Sequence, residues 1–357
     1  MVDIICGARP NFMKVDPIIR SMDAAVRLRL VHTGQHYDHA MSQSFFDELD
    51  LPRPDINLGV GSASITVQTA RIMEAYEKEF LADTPEAVIV VGDVNSTLAC
   101  ALVAVRGGVP VIHVEAGLRS FDRSMPEEIN RVLTDQIADL LLITSPEAVD
   151  NLLAEGRSGE DIAMVGNPMI DTLLRLLPAA MRDPRPVPGR SFALVTLHRP
   201  SNVDDPGRLR SILRALGRLE GMEVLFPAHP RTMRNISEWG IADAVPKGVS
   251  MMEPMTYLEF VRHENLAAVV ITDSGGVQEE TSVLGVPCVT VRTSTERPVT
   301  IELGTNTLCP DPDLIPEAVA RQVSARPAVP PDIPFWDGKA GARIAEAVTG
   351  LIGGIAR

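Results

Sequence analysis

The chain has 357 residues, 45% of them apolar, and a formal net charge of −14. That length and apolar content suit two domains with separate cores, while the negative charge excludes non-specific nucleic-acid binding, which needs basic surface to displace counterions from phosphate. Cys6, Cys100, Cys288 and Cys309 are too dispersed for a paired metal-ligand spacing. No apolar stretch reaches the roughly 20 residues of a membrane span and no leader pattern opens the chain, so the expectation is a reduced, soluble, cytoplasmic protein without structural zinc.

Short apolar runs predict strands over 3–7, 28–32, 87–92, 109–114 and 140–144, with helix-length segments between them. The alternation predicts a parallel, doubly wound half ending near Gly166-Asn167-Pro168. The Pro- and Arg-rich stretch 182–190 reads as an exposed connection, and a second series, 192–197, 222–227, 266–271 and 287–291, predicts another half of the same kind. After the Pro-rich stretch 327–334, an apolar helix over about 338–351 is expected to return to the first half. The expected fold class is α/β, with two Rossmann-like doubly wound domains facing a central cleft: residues 1–167 with 338–357, and residues 168–337.

Two strand-to-helix turns carry groups suited to phosphate. Arg9 leaves the carboxyl end of the first strand and Lys14 sits on the first turns of the next helix, where open α/β sheets bind ligands. Pro17, inside the same helical pattern, is expected to cost one backbone bond and bend the helix. In the second half, Ser274, Gly275 and Gly276 open a helix whose free amides suit phosphate oxygens, the glycines permitting close approach. One turn on, Glu279 or Glu280 is placed to accept from ribose hydroxyls, and Arg297 offers a planar fork to phosphate. Either turn alone is equally consistent with an ordinary capped helix start and solvated cations.

Between these turns, carboxylates fall at strand ends. Asp93 follows the strand over 87–92, Glu115 stands in the equivalent place one strand over, and Glu127 lies in the first turn of a helix with Arg131 four residues later on the same face. Three acids on adjacent carboxyl-end loops suit general acid and base work. Taken by itself, Glu127 is equally what a helix dipole and an Arg131 partner would select.

In chain order, Gly7-Ala8-Arg9-Pro10 with Lys14, the run His32 to Asp38, Gly92-Asp93, His113-Val114-Glu115-Ala116-Gly117-Leu118-Arg119, Pro126-Glu127-Glu128 with Asn130-Arg131, Gly166-Asn167, His198-Arg199, His229, Asp273 to Gly276 with Gln278-Glu279-Glu280, and Thr295 to Pro298 resemble the UDP-N-acetylglucosamine 2-epimerase family. The similarity covers nearly the whole chain and is closer to the non-hydrolysing branch. It implies the two-domain arrangement of many nucleotide-sugar glycosyltransferases (GT-B-like), a homodimer, and catalysis without nicotinamide or metal. It also implies acid/base roles for Asp93, Glu115 and Glu127, a supporting role for Arg131 and a place beside the diphosphate for His198. Arg9, Lys14, Ser274, Gly275, Gly276, Glu280 and Arg297 would hold UDP, and Gln35, Arg71, Arg199 and His229 would contact a second, activating UDP-N-acetylglucosamine. The implied reaction, serving polysaccharide biosynthesis, is reversible epimerisation at carbon 2 to UDP-N-acetylmannosamine through 2-acetamidoglucal.

Some positions depart from the commonest pattern of that family. Asn11-Phe12-Met13 stands where many relatives carry Glu-Ala-Ile, Pro200-Ser201-Asn202 where many carry Arg-Glu-Ser, and Asp38 replaces the usual Gln or Glu. A modified UDP-sugar therefore stays open, as do a hydrolysing epimerase, a UDP-sugar glycosyltransferase and a non-catalytic nucleotide-sugar sensor.

Overall fold

The computed structural model describes residues 1–7, 9–34, 50, 53–189 and 191–355, the side chains of residues 9, 10 and 355 excepted. The described chain divides into two compact units, Met1–Arg175 with Pro334–Arg357, and Leu176–Ile333.

The first unit is built on the parallel strands β1 (Val2–Cys6), β2 (Leu28–His32), β3 (Ile56–Asn57), β4 (Ala87–Val91), β5 (Val111–Ala116), β6 (Leu140–Ile143) and β7 (Ile162–Met164), in the order β3-β2-β1-β4-β5-β6-β7. Its helices are α1 (Arg9–Ser21), α2 (Ile65–Ala82), α3 (Asn95–Arg106), α4 (Pro126–Ile137), α5 (Glu147–Ala154) and α6 (Pro168–Ala180), the last running into the second unit. Ile5, Val31, Val88, Val90, Leu141 and Ile143 cover one sheet face and pack on Ile72, Tyr76 and Phe80 of α2 and on the small residues of α3. The strand order reverses between β1 and β4, so the connections leaving these two strands diverge and open a crevice at their carboxyl ends.

The second unit repeats the design with β8 (Phe192–Thr196), β9 (Glu223–Pro227), β10 (Val249–Met252), β11 (Val269–Thr272), β12 (Cys288–Thr290) and β13 (Asn306–Leu308), all parallel and ordered β10-β9-β8-β11-β12-β13. Its helices are α7 (Pro200–Val203), α8 (Pro206–Leu216), α9 (Pro230–Glu238), α10 (Tyr257–Leu266), α11 (Gly275–Leu284), α12 (Val299–Glu302) and α13 (Ile315–Ser324). Ala193 and Val195 of β8 enter one apolar core and Phe192 and Leu194 the other, as the period of two requires of a strand covered on both faces. The reversal here lies between β8 and β11. The α/β, doubly wound character expected of both halves is thus present. No described helix is long and apolar enough to cross a membrane.

The C-terminal helix Ala340–Ile355 belongs to the first unit and packs on α1. Asp171 of α6 caps it, accepting the amides of Ala340 (3.1 Å) and Gly341 (2.8 Å), and the Trp336 indole donates to the Thr144 carbonyl (2.8 Å). A side-chain carbon at Gly341 would lie 2.4 Å from the Pro17 carbonyl oxygen, so glycine sets how closely the two helices approach.

Pro17 does not end α1. It has no amide to give the Met13 carbonyl four residues earlier, and the fully buried Thr172 hydroxyl donates to that carbonyl instead, at 2.7 Å. Replacing Thr172 by Val keeps the shape and removes the donor. The buried carbonyl is then left unpaired, and urea unfolding should report a loss of about 1–3 kcal/mol. Thr172→Ser, which keeps the hydroxyl, should lose less.

Candidate active site

In the first unit, the crevice at the β1/β4 reversal is lined from α1, β4 and β5. Asn11 receives the Gly7 amide (3.4 Å) and donates to the Val91 carbonyl (3.0 Å), tying the start of α1 to the end of β4. Gly92 follows at φ 69°, a conformation that favours glycine. A side-chain carbon there would sit 3.2 Å from a Glu115 carboxylate oxygen and 3.3 Å from the Lys14 ammonium. Lys14, expected among the phosphate-facing cations, is nearly buried and pairs directly with Glu115.

Glu115 itself stands at φ 72°, where the β5–β6 register slips between Val114 and Ala116. A bulge of this kind re-aims one side chain at the end of a strand, and a left-handed glutamate is a strained residue that its surroundings must hold. Asp93, one residue past Gly92, keeps a quarter of its side chain exposed and receives Arg131 through Nε (3.0 Å) and Nη2 (2.6 Å). Arg131 extends its third nitrogen, Nη1, to Glu128 (2.6 Å). The partner on α4 is therefore Glu128, three residues before Arg131, and not Glu127 four residues before it as the sequence suggested. Glu127 faces solvent in the first turn.

His113 and Asp135 brace these loops from below. The buried imidazole contacts Asp135 through Nδ1 (2.6 Å) and the Gly92 carbonyl through Nε2 (2.8 Å), and Asp135 also accepts the Gly117 amide (3.0 Å). Burial alone would raise the Asp135 carboxyl, but His113 and the Arg119 guanidinium hold it below its ordinary value.

In the second unit, the β8/β11 reversal is organised by Asp273, which has no exposed surface. It accepts the backbone amides of His198 (3.1 Å) and Arg199 (3.0 Å) and the Asn202 side chain (3.0 Å), and the His198 Nδ1 lies 3.1 Å away. Burial pushes its carboxyl up, and these donors more than offset it, leaving the group below its usual value. The loop after β8 is thereby fixed against the start of α11, with the His198 ring half exposed. Sequence reading missed Asp273 as a site residue, although an acid directly before the Ser274-Gly275-Gly276 turn was a visible signal.

Ser274, Gly275 and Gly276 are partly exposed at the start of α11, as expected. A side-chain carbon at Gly275 would lie 2.7 Å from Nη1 of Arg297, so glycine admits that guanidinium close to the turn. Arg297 is buried and meets Glu296 (2.6 Å) and Glu279 (2.7 Å). Glu280 accepts the Tyr257 hydroxyl at 2.7 Å; burial pushes its carboxyl up to about 7, Tyr257 opposing and the Glu279 charge adding to the rise.

Arg199 reaches the Asp273 carbonyl (2.9 Å) and lies 3.6 Å from Glu296. His229 is exposed and caps α9, its ring lowered by partial burial and by the neighbouring His198. Arg71 is exposed on α2. Gln35 lies outside the described residues, as does the Arg9 side chain.

The family model for UDP-N-acetylglucosamine 2-epimerase matches residues 20–349. The UDP-N-acetylglucosamine 2-epimerase of Methanocaldococcus jannaschii is 40% identical, the match covering 98% of each chain. The UDP-2,3-diacetamido-2,3-dideoxy-D-glucuronate 2-epimerase of Pseudomonas aeruginosa is 42% identical over 85% of this chain and 86% of its own. Among solved structures, the Methanocaldococcus jannaschii UDP-GlcNAc 2-epimerase in complex with UDP-GlcNAc and UDP superposes with a TM-score of 0.90, covering 98% of this chain and 99% of that one.

The Glu280 environment yields a pH prediction. A carboxyl raised in the fold from 4.5 to about 7 makes the native state the better proton binder, so its favourable contribution is complete below about pH 4.5 and is lost as pH rises through about 7. Glu280→Gln cannot ionise. Its melting temperature relative to the parent protein should therefore be higher at pH 8 than at pH 4.5, and a difference independent of pH would contradict the assignment.

Proposed function

The chain belongs to the UDP-N-acetylglucosamine 2-epimerase family, and from that premise we propose that it interconverts UDP-N-acetylglucosamine and UDP-N-acetylmannosamine without hydrolysis. The observation that carries the reading is the pair of carboxylates at adjacent strand ends, Asp93 and the bulged, left-handed Glu115. The proton on carbon 2 of an N-acetylhexosamine has no carbonyl beside it to acidify it. If UDP leaves carbon 1 with the electron pair of that bond, positive charge develops next to carbon 2, a carboxylate takes the proton, and 2-acetamidoglucal is formed. Return of a proton to the opposite face and re-addition of UDP at carbon 1 complete the inversion. Two faces call for two proton-transfer groups, which Asp93 and Glu115 supply, with Glu127 as the third acid.

In this reading Arg9, the amides of 274–276, His198 and Arg297 stabilise the departing diphosphate, with Lys14 acting through Glu115, and Glu280 accepts from the ribose. The chemistry requires no cofactor. Gln35, Arg71, Arg199 and His229 serve a second, activating UDP-N-acetylglucosamine on a cytoplasmic homodimer. A second reading, a diacetamido uronic-acid derivative as the sugar, is favoured by the 42% identity to the Pseudomonas aeruginosa relative. Chromatography of the products from each UDP-sugar separates the two substrates and also distinguishes epimerisation from hydrolysis.

Turnover in heavy water should place deuterium at carbon 2. Asp93→Asn and Glu115→Gln each remove a basic oxygen while keeping shape, and should lower kcat by about 10²–10⁴ with little change in affinity for UDP. A product free of deuterium at carbon 2, or near-normal turnover in both variants, would end this reading.

A further inference from the structure

The two glutamates that open α4 have different environments. Glu127 is solvated, whereas Glu128 is only 3% exposed and accepts four donors: the Ser120 amide (2.9 Å), the Ser120 hydroxyl (3.0 Å), the Phe121 amide (2.8 Å) and Arg131 Nη1 (2.6 Å). On its other edge, Arg131 closes Nε and Nη2 on one oxygen of Asp93. The guanidinium is planar and is gripped from two sides, so the position of Glu128 determines the plane in which Arg131 meets Asp93. A glutamate selected only by the helix dipole has no need of burial or of four donors. One that merely fastened the loop after β5 would account for Ser120 and Phe121, but not for the fork on Asp93.

We infer that Glu128 is a positioning residue for proton transfer, fixing the direction of the Asp93 carboxylate through Arg131. The same carboxylate holds the loop whose Phe121 stands at φ 58° and 76% exposed, a strained conformation for an aromatic residue. Loop and acid are thus set by one buried anion. The inference rests on the proposed proton-transfer role of Asp93, and it adds a group that acts through another side chain.

The test is a double-mutant cycle read by kcat, KM and deuterium entry at carbon 2. Glu128→Gln alone should lower kcat by about 10²-fold, the scale of a small misplacement of a reacting group, with KM changed by less than about threefold. In an Asp93→Asn background, the same substitution should cost less than about threefold, because the group it positions is already disabled. A purely structural role would lower both backgrounds equally. If Glu128→Gln does not fold, Glu128→Asp, which keeps the charge but draws it back from Arg131, takes its place in the cycle. Deuterium entry in the parent enzyme with additive losses overturns the inference alone. No deuterium entry in the parent enzyme overturns the reaction and, with it, the relay.

Discussion

Buried carboxylates that accept backbone amides hold loops at the carboxyl ends of both sheets in place. At a topological reversal the connections leave the sheet in opposite directions, and their amides lose the neighbouring strand that would have paired with them. In the second unit Asp273 takes two such amides from the loop after β8. In the first unit the loop after β5, one strand away from the reversal, is held in the same way: Asp135 takes Gly117, and Glu128 takes Ser120 and Phe121. Each anion is itself met by a cationic or polar side chain, which keeps the burial from being prohibitive. The same acids therefore shape the crevice and orient the groups facing it.

This arrangement separates two kinds of acid. Asp273, Asp135 and Glu128 are saturated with donors and well suited to holding structure. Asp93 retains exposed surface, and Glu115 sits on a bulge, in a conformation that glutamate rarely adopts. Asp93 thus keeps access to solvent, whereas Glu115 is buried against Lys14 with its direction set by the bulge.

Most of the sheet was legible in the sequence. The strands read correctly are internal or next to internal, buried on both faces, and therefore written as continuous Val, Ile and Leu runs. The four that escaped, β3, β7, β10 and β13, are the edge strands of the two sheets, two to four residues long and in part exposed. Such segments carry little apolar signal. At the site, residue types and strand-end positions were readable, but pairings were not. Whether Arg131 meets Glu127 or Glu128 depends on the rotation of α4 about its axis, and Lys14 meets Glu115 across 101 residues of sequence. Local spacing holds neither fact. Pro17 was read correctly as a lost bond, but the compensating hydroxyl of Thr172 lies 159 residues away.

The return of the C-terminal helix to α1 has a consequence for biosynthesis. Because the first unit takes its last helix from beyond residue 333, the whole second unit emerges from the ribosome before the first can be completed. Until then the close-approach face around Pro17, the Asp171 carboxylate and the Thr144 carbonyl all lack their eventual partners. Over that interval the first unit lacks one of its helices, and the face of α1 on which that helix packs has no cover from it. The second unit, continuous in sequence, is free to finish first.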